Sequence, residues 1–248
     1  MLEQLVVLPL LLTWVLLVTT IAPITLSNRK LFVSMPNFGL AVWFLVFISA
    51  ALATVFAVGF ALWSMYRTYQ SLSSTELFGE TWFIEFVLSL VPWAILALIG
   101  VTLAWINIKL DPLFQSAKDI HSKLAVVGTK RREYRGVPVM EFAAEFPTVF
   151  STKHAGGFGI FISSATMRLL SDQQLDIVFE HEFAHIRNKH YLLKRVAKLI
   201  RTLTPRLAAS NALESEVNIL CEASANKRAA KKFGSERVLE VAAVFHGA

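Results

Sequence analysis

Cysteine is all but missing from this 248-residue chain: Cys221 stands alone. One thiol excludes an internal disulfide framework and any multi-cysteine metal cluster, and its bland reading is a small buried side chain. Charge is scarce too, at 17% of residues against 55% hydrophobic, with a mean hydropathy of +0.54. That is too apolar for a soluble domain of this size and points to membrane spans. The scarcity is local. The first 106 residues hold only Arg29, Lys30 and Arg67 as cations and Glu3, Glu76, Glu80 and Glu85 as anions, leaving 21 of 24 basic and 14 of 18 acidic residues beyond them. Internal repeats and low-complexity tracts are absent. So is any nucleic-acid recognition motif, and the basic residues follow membrane-proximal and amphipathic segments, which argues against a nucleic-acid partner.

Three apolar runs are long enough to cross a bilayer as helices, which takes about 20 residues. They cover about residues 5–26, 38–66 and 82–106. The first lacks the basic start of a signal peptide and is longer than a signal's apolar core, so it reads as a retained span. Glu85 and Pro92 are the oddities of the third, and Glu85 lies close enough to its start to snorkel to the interface. Arg29 and Lys30 fall between the first two spans, while Lys109, Lys118, Lys123 and Lys130-Arg131-Arg132 follow the third. Basic residues favour the cytoplasmic side, which places the N-terminus outside and the C-terminal part inside.

From Asp111 to the end the pattern becomes that of an α+β domain. Residues 111–123 predict a helix. "LAVV" (124–127) and "VPVMEF" (137–142) predict strands separated by a basic turn ending at Gly136, and "GGFGIFIS" (156–163) predicts another. The last of these reads either as an edge strand open to an extended substrate or as an ordinary buried strand. Ser171 followed by Gln174 is a capping-box signature, and Leu175, Val178, Phe179, Phe183 and Ile186 then recur at helical spacing. Residues 191–203 set Leu192, Leu193, Val196, Ala197, Leu199, Ile200 and Leu203 among Lys194, Arg195, Lys198 and Arg201. Two readings stand for this amphipathic helix: lying on an anionic membrane surface, or packed on the domain. A last helix over 212–233 stops at Gly234, with Lys231-Lys232 where the helix dipole favours cations.

The capped helix carries "EHEFAHIRNKH" (180–190). Residues four apart project side by side, so His181 and His185 can share one Zn²⁺ at about 2.0–2.1 Å, with Glu182 beside them as a base for an attacking water. Six histidines and fourteen glutamates placed by chance in this chain would give on the order of 0.01 such patterns. A catalytic zinc needs a third protein ligand and an open position. His190, five residues on, falls about 140° round a continuous helix. It therefore points elsewhere, capping the helix end or facing the membrane surface. Glu222 on the last helix is the better third ligand, with Asn226 one turn later. Glu214 and Glu216 are rivals, Glu214 the closer because Asn218 follows it at the same spacing.

The run from Phe146 to His190 resembles the BlaR/MecR-type membrane zinc peptidases and, more distantly, the HtpX-type and CAAX prenyl proteases. The resemblance covers about residues 137–233 and the layout of the spans. It implies a strand ending in Ile-Ser, a helix bearing H-E-x-x-H, and a third ligand from the glutamate of E-x-x-x-D on a later helix. His181, Glu182 and His185 match unchanged, and Glu222 matches the glutamate in preference to Glu214. Asn226 replaces the family's aspartate, a change of a kind that costs about 10–100-fold in metal affinity or activity.

The expectation is a mainly α membrane protein with three N-terminal transmembrane helices (1–110) and a cytoplasmic, zincin-like α+β metallopeptidase domain (111–248). It would hydrolyse peptide bonds of membrane or cytoplasmic proteins, by resemblance including a repressor-type regulator, at a bacterial plasma membrane. Zn²⁺, a protein or peptide substrate and the lipid bilayer are the implied partners. His154, in the loop before the glycine-led strand, is a candidate to stabilise the oxyanion. The alternative is a weak or inactive pseudo-protease that senses or scaffolds in the membrane.

Overall fold

The computed structural model describes residues 2–27, 29–73, 129–154, 157–205 and 207–246. The expected span at 82–106, helix at 111–123 and strand at 124–127 lie outside them. Four helices open the chain: α1 (Leu2–Thr20), α2 (Ala22–Leu26), α3 (Arg29–Ser34) and α4 (Pro36–Ser73). The run at 5–26 is therefore not one helix. The chain turns at Ile21, and α2 starts afresh with a proline in its first turn, where the missing N–H costs nothing. Among the described residues only Pro36–Phe60, 25 residues of mean hydropathy 2.4, is long and apolar enough to cross a membrane; the apolar part of α1, Pro9–Thr20, is shorter. Of the two expected spans within the described residues, one remains a candidate. Val18 and Ala22 pack against Ala50 of α4, and Trp14 Nε1 donates to Ser49 Oγ at 3.1 Å.

Among the described residues four strands come next, β1 (Thr129–Tyr134), β2 (Val137–Phe142), β3 (Val149–His154) and β4 (Gly157–Ser163), in the order β1-β2-β4-β3. The basic segment expected as a turn is mostly strand. β1 and β2 form a hairpin whose turn is only Arg135-Gly136, with φ of 49° and 81°, the positive values a two-residue hairpin loop needs. β4 pairs parallel with β2 and antiparallel with β3, so the glycine-led strand is internal and the edge falls to β3. The residue pattern explains it. Ile160 to Ser163 are all buried, the near-continuous run of an internal strand, whereas β3 carries Ser151, Thr152 and Lys153.

Five helices complete the chain: α5 (Ser164–Leu169), α6 (Asp172–Arg187), α7 (His190–Leu203), α8 (Ala208–Phe233) and α9 (Ser235–His246). Ser171 caps α6 as its sequence predicts, accepting from the Gln174 N–H while Gln174 accepts from the Ser171 N–H. Gly234, at φ 93°, ends α8 and turns the chain into α9, which the sequence pattern did not announce. Val139, Ile160 and Ile162 of the sheet pack against Leu175, Val178 and Phe179 of α6, Ala229 of α8, and Val238 and Val241 of α9. Truncating a fully buried member such as Phe179 to alanine costs about 3–5 kcal/mol.

A second core joins the apolar helices to this domain: Phe32, Leu40 and Trp43 meet Ala197, Leu213, Val217, Leu220 and Cys221. Gly39 permits the approach, since a Cβ there would meet Phe32 Cβ at 2.9 Å and Leu220 Cδ1 at 3.0 Å. Polar contacts reinforce it: Ser224 Oγ donates to Asn37 Oδ1 at 2.8 Å, and Lys227 Nζ to the Ser34 carbonyl at 2.7 Å. The amphipathic helix α7 uses Leu193, Ala197 and Ile200 in this core, so the packed reading holds for that face, while Leu192 and Val196 remain exposed.

Candidate metal centre

The site lies between α6, α8 and the start of β3. Thr148, just before β3, is held by the end of β4 and the first turn of α5: its N–H donates to Ser163 Oγ at 3.0 Å and Thr166 Oγ1 at 2.9 Å. That fixes where the edge strand begins, beside the α6 motif.

His181 and His185 project side by side from α6, their Nε2 atoms 3.1 Å apart. Glu222 Oε2, from α8, lies 3.3 Å from one and 3.5 Å from the other. Three donors held at 2.0–2.1 Å in a tetrahedron would be separated by about 3.3–3.4 Å, so the triangle fits zinc. The two Nε2 atoms can stand at this distance as a hydrogen bond when one ring carries its proton there, or around a cation when neither does. Among the described residues this is the one group of three such side chains that could hold a metal ion. Glu214 does not join it, being paired with Arg201 at 2.8 Å; Glu216 is buried elsewhere in α8.

Lys194 Nζ binds the other Glu222 oxygen at 2.8 Å, leaving Oε2 to the histidines. Burial raises the Glu222 pKa, but hydrogen bonds from His181, His185 and Lys194 outweigh it and hold the carboxyl well below its usual range. For His181 burial lowers the pKa, and Glu222, Glu182 and the Asn226 side chain together reverse this. Asn226 borders the same space as His181 and Glu222. Glu182 borders the same space as His181 and Glu222, on both sides of the ligands. His154 closes β3, and its side chain is not among those described.

His190 is the main correction. It does not point away: its Nδ1 lies 3.0 Å from His185 Nδ1, and only 1% of the residue is exposed. On a continuous helix it would fall about 140° away, but α6 ends at Arg187 and Lys189 takes a left-handed φ of 54°, folding His190 back. Its exclusion as a ligand stands, since it meets the back of the His185 ring. Burial, helped by His185 and Lys194, lowers its pKa to about 4, so it is neutral at ordinary pH. Cys221, beside Glu222 in sequence, is fully buried and its thiol is pushed up to about 12 by that burial, which makes it inert.

Glu180 was also missed. It is 2% exposed, accepts from Tyr134 Oη at 2.7 Å and Arg228 Nε at 2.9 Å, and pairs with Arg135 at 3.1 Å and Lys232 at 3.4 Å. Desolvation raises its pKa, but these hydrogen bonds and charges win and lower it. Arg228 and Lys232, four apart on α8, were the available signal.

The ligands divide a cleft in two. On one side Phe150, Ser151, Phe158, Tyr191 and Lys194 line a space of about 350 Å³. On the other, Ile177, Val178, Val238, Val241 and Phe245 line an apolar one of about 370 Å³. Residues 150–241 match the model of peptidase family M48. The M48 match runs from β3 into α9 and contains His181, Glu182, His185, Glu222 and Asn226, so it supports a metallopeptidase whose zinc these residues would hold. Among curated proteins, none matches the chain.

Proposed function

We propose that this chain is a membrane-anchored zinc metalloendopeptidase that cleaves an extended segment of a membrane or cytoplasmic protein, a repressor-type regulator of the BlaR/MecR branch among them. The observation that carries it is the donor triangle of His181, His185 and Glu222 with Glu182 on the same cleft. The edge of β3, which pairs only with β4 among the described residues, supports an endopeptidase, because a substrate strand can add there by backbone hydrogen bonds. An added strand antiparallel to β3 would place its C-terminal side toward Pro147–Val149 and the apolar space, and its N-terminal side toward Ser151. The apolar candidate span of α4 supports the anchor, and the basic residues after the third apolar run support a cytoplasmic site.

Zinc in the triangle would acidify an attacking water and polarise the scissile carbonyl. Glu182 takes that water's proton and returns it to the leaving amine. Lys194 keeps Glu222 turned toward the histidines, and β3 holds the substrate backbone in register with them.

The decisive comparison is wild type against Glu182→Gln, with metal content and peptide cleavage both measured. Full zinc and a loss of about 10²–10⁴-fold in cleavage is expected. Zinc binding with no cleavage by the wild type either would favour the sensor or scaffold instead. Cleavage that survives in Glu182→Gln would exclude Glu182 as the base.

A further inference from the structure

His190 is a buried histidine to which the proposed chemistry assigns no task. Its ring stands nearly perpendicular to that of His185, at 81°, with centroids 4.9 Å apart and the two Nδ1 atoms 3.0 Å apart. Its Nε2 has no hydrogen-bond partner among the described residues.

A contact between two ring nitrogens requires one donor and one acceptor. His185 has its Nε2 in the donor triangle, facing His181 Nε2 and Glu222 Oε2. To offer that lone pair, a neutral His185 must carry its proton on Nδ1. His190 Nδ1 must then accept, which puts the His190 proton on Nε2. We infer that His190 is a positioning residue that fixes His185 as the Nδ1–H tautomer, aiming its Nε2 lone pair into the metal triangle. This rests on reading His181, His185 and Glu222 as a metal site.

His185 is thus oriented by a neutral acceptor, where a carboxylate commonly takes this role. The geometry depends on one backbone feature: Lys189 at φ 54° brings the first residue of α7 back over the last turn of α6. Leu193, Ala197 and Ile200 pack α7 against α4 and α8, so the acceptor's position is set by a core rather than by a loop.

The test is zinc affinity of the purified full chain, measured by chelator competition, in wild type, His190→Leu and His190→Asn. Leucine fills the space without an acceptor, and the asparagine Oδ1 falls near the position of Nδ1. His190→Leu should bind zinc about 10–100-fold more weakly, with His190→Asn restoring most of the affinity. Cobalt-substituted His190→Leu should show displaced visible bands, which a merely structural role would not produce. Nitrogen NMR of zinc-loaded wild type reads the tautomers without any substitution, and His190 should be protonated at Nε2. A His190 protonated at Nδ1, a His190→Leu with wild-type affinity, or a His190→Asn as weak as His190→Leu would each overturn the inference. Wild type that binds no zinc would instead overturn the metal-site reading beneath it.

Discussion

Two carboxylates cross the same pair of helices in opposite directions. Glu180 leaves α6 to meet Arg228 and Lys232 of α8; Glu222 leaves α8 to meet His181 and His185 of α6. Glu180 is 2% exposed and faces three cations, Arg135 included, plus the Tyr134 hydroxyl. Glu222 keeps 49% of its side chain exposed and has one cation, Lys194, with two imidazoles. The first carboxylate is over-compensated and closed, so it serves as a tie between helices. The second has Lys194 as its one cation, with Glu182 nearby, and turns its other oxygen toward two imidazoles, an arrangement that could hold a metal ion. One side-chain type takes two functions according to whether the fold supplies the counter-charge.

Exchanging the fates of these two groups is the sharpest test. Glu222→Ala should abolish stoichiometric zinc binding, and with it cleavage, since two histidines alone leave the three-ligand set incomplete. Its effect on folding stability should stay within about 1 kcal/mol, as for exposed ion pairs. Metal analysis and thermal unfolding on one sample decide this, and a large fall in stability would break the comparison. Glu180→Ala should behave oppositely. It leaves Arg228, Arg135 and Lys232 crowded without their carboxylate and should cost roughly 2–3 kcal/mol, below the fully buried case because those cations are partly exposed. Protein that remains folded should still bind zinc.

The same contrast predicts a response to acid. The Glu180 pKa is depressed in the folded state, so its contribution is fully present above the unfolded value of about 4.3 and is lost as pH falls from there through the folded value. Wild type should lose stability along that descent, and Glu180→Gln should show a shallower loss over the same window. Denaturant titrations from pH 6 downward check it, and parallel slopes would show that Glu180 is not coupled to folding.

What the sequence discloses follows from how local each interaction is. The H-E-x-x-H spacing, the capping box at Ser171 and the strand Val137–Phe142 depend on neighbours within a turn or a pleat, and they stand as read. Glu222 was reachable through family resemblance, because its partner helix lies some forty residues away from His181. His190 was misjudged because one left-handed residue, Lys189, redirects the chain, and lysine gives no warning of positive φ. The glycine-led strand stayed open between an edge and a buried reading because register is settled between strands: the buried reading holds, with Ile160 to Ser163 inside and β3 beyond β4. The run at 5–26 is divided between two helices because the break at Ile21 is a matter of local geometry rather than of hydropathy.

The smallest effect concerns Asn226. Its carboxamide borders the same space as His181 but brings no charge to a site that already holds Glu222 and Glu182. Asn226→Asp should make His181 a more basic ligand while adding one more negative charge to hold a cation. Losing such an orienting contact costs about 10–100-fold, and the amide already supplies the geometry, so the gain in zinc affinity should be at most about 10-fold. Chelator competition resolves a change of that size. Unchanged affinity would mean that orientation of His181, rather than charge behind it, is what the position contributes. A gain well beyond tenfold would mean that the native site is short of negative charge, and that Glu222 is less effective as a charged ligand than its contrast with Glu180 implies.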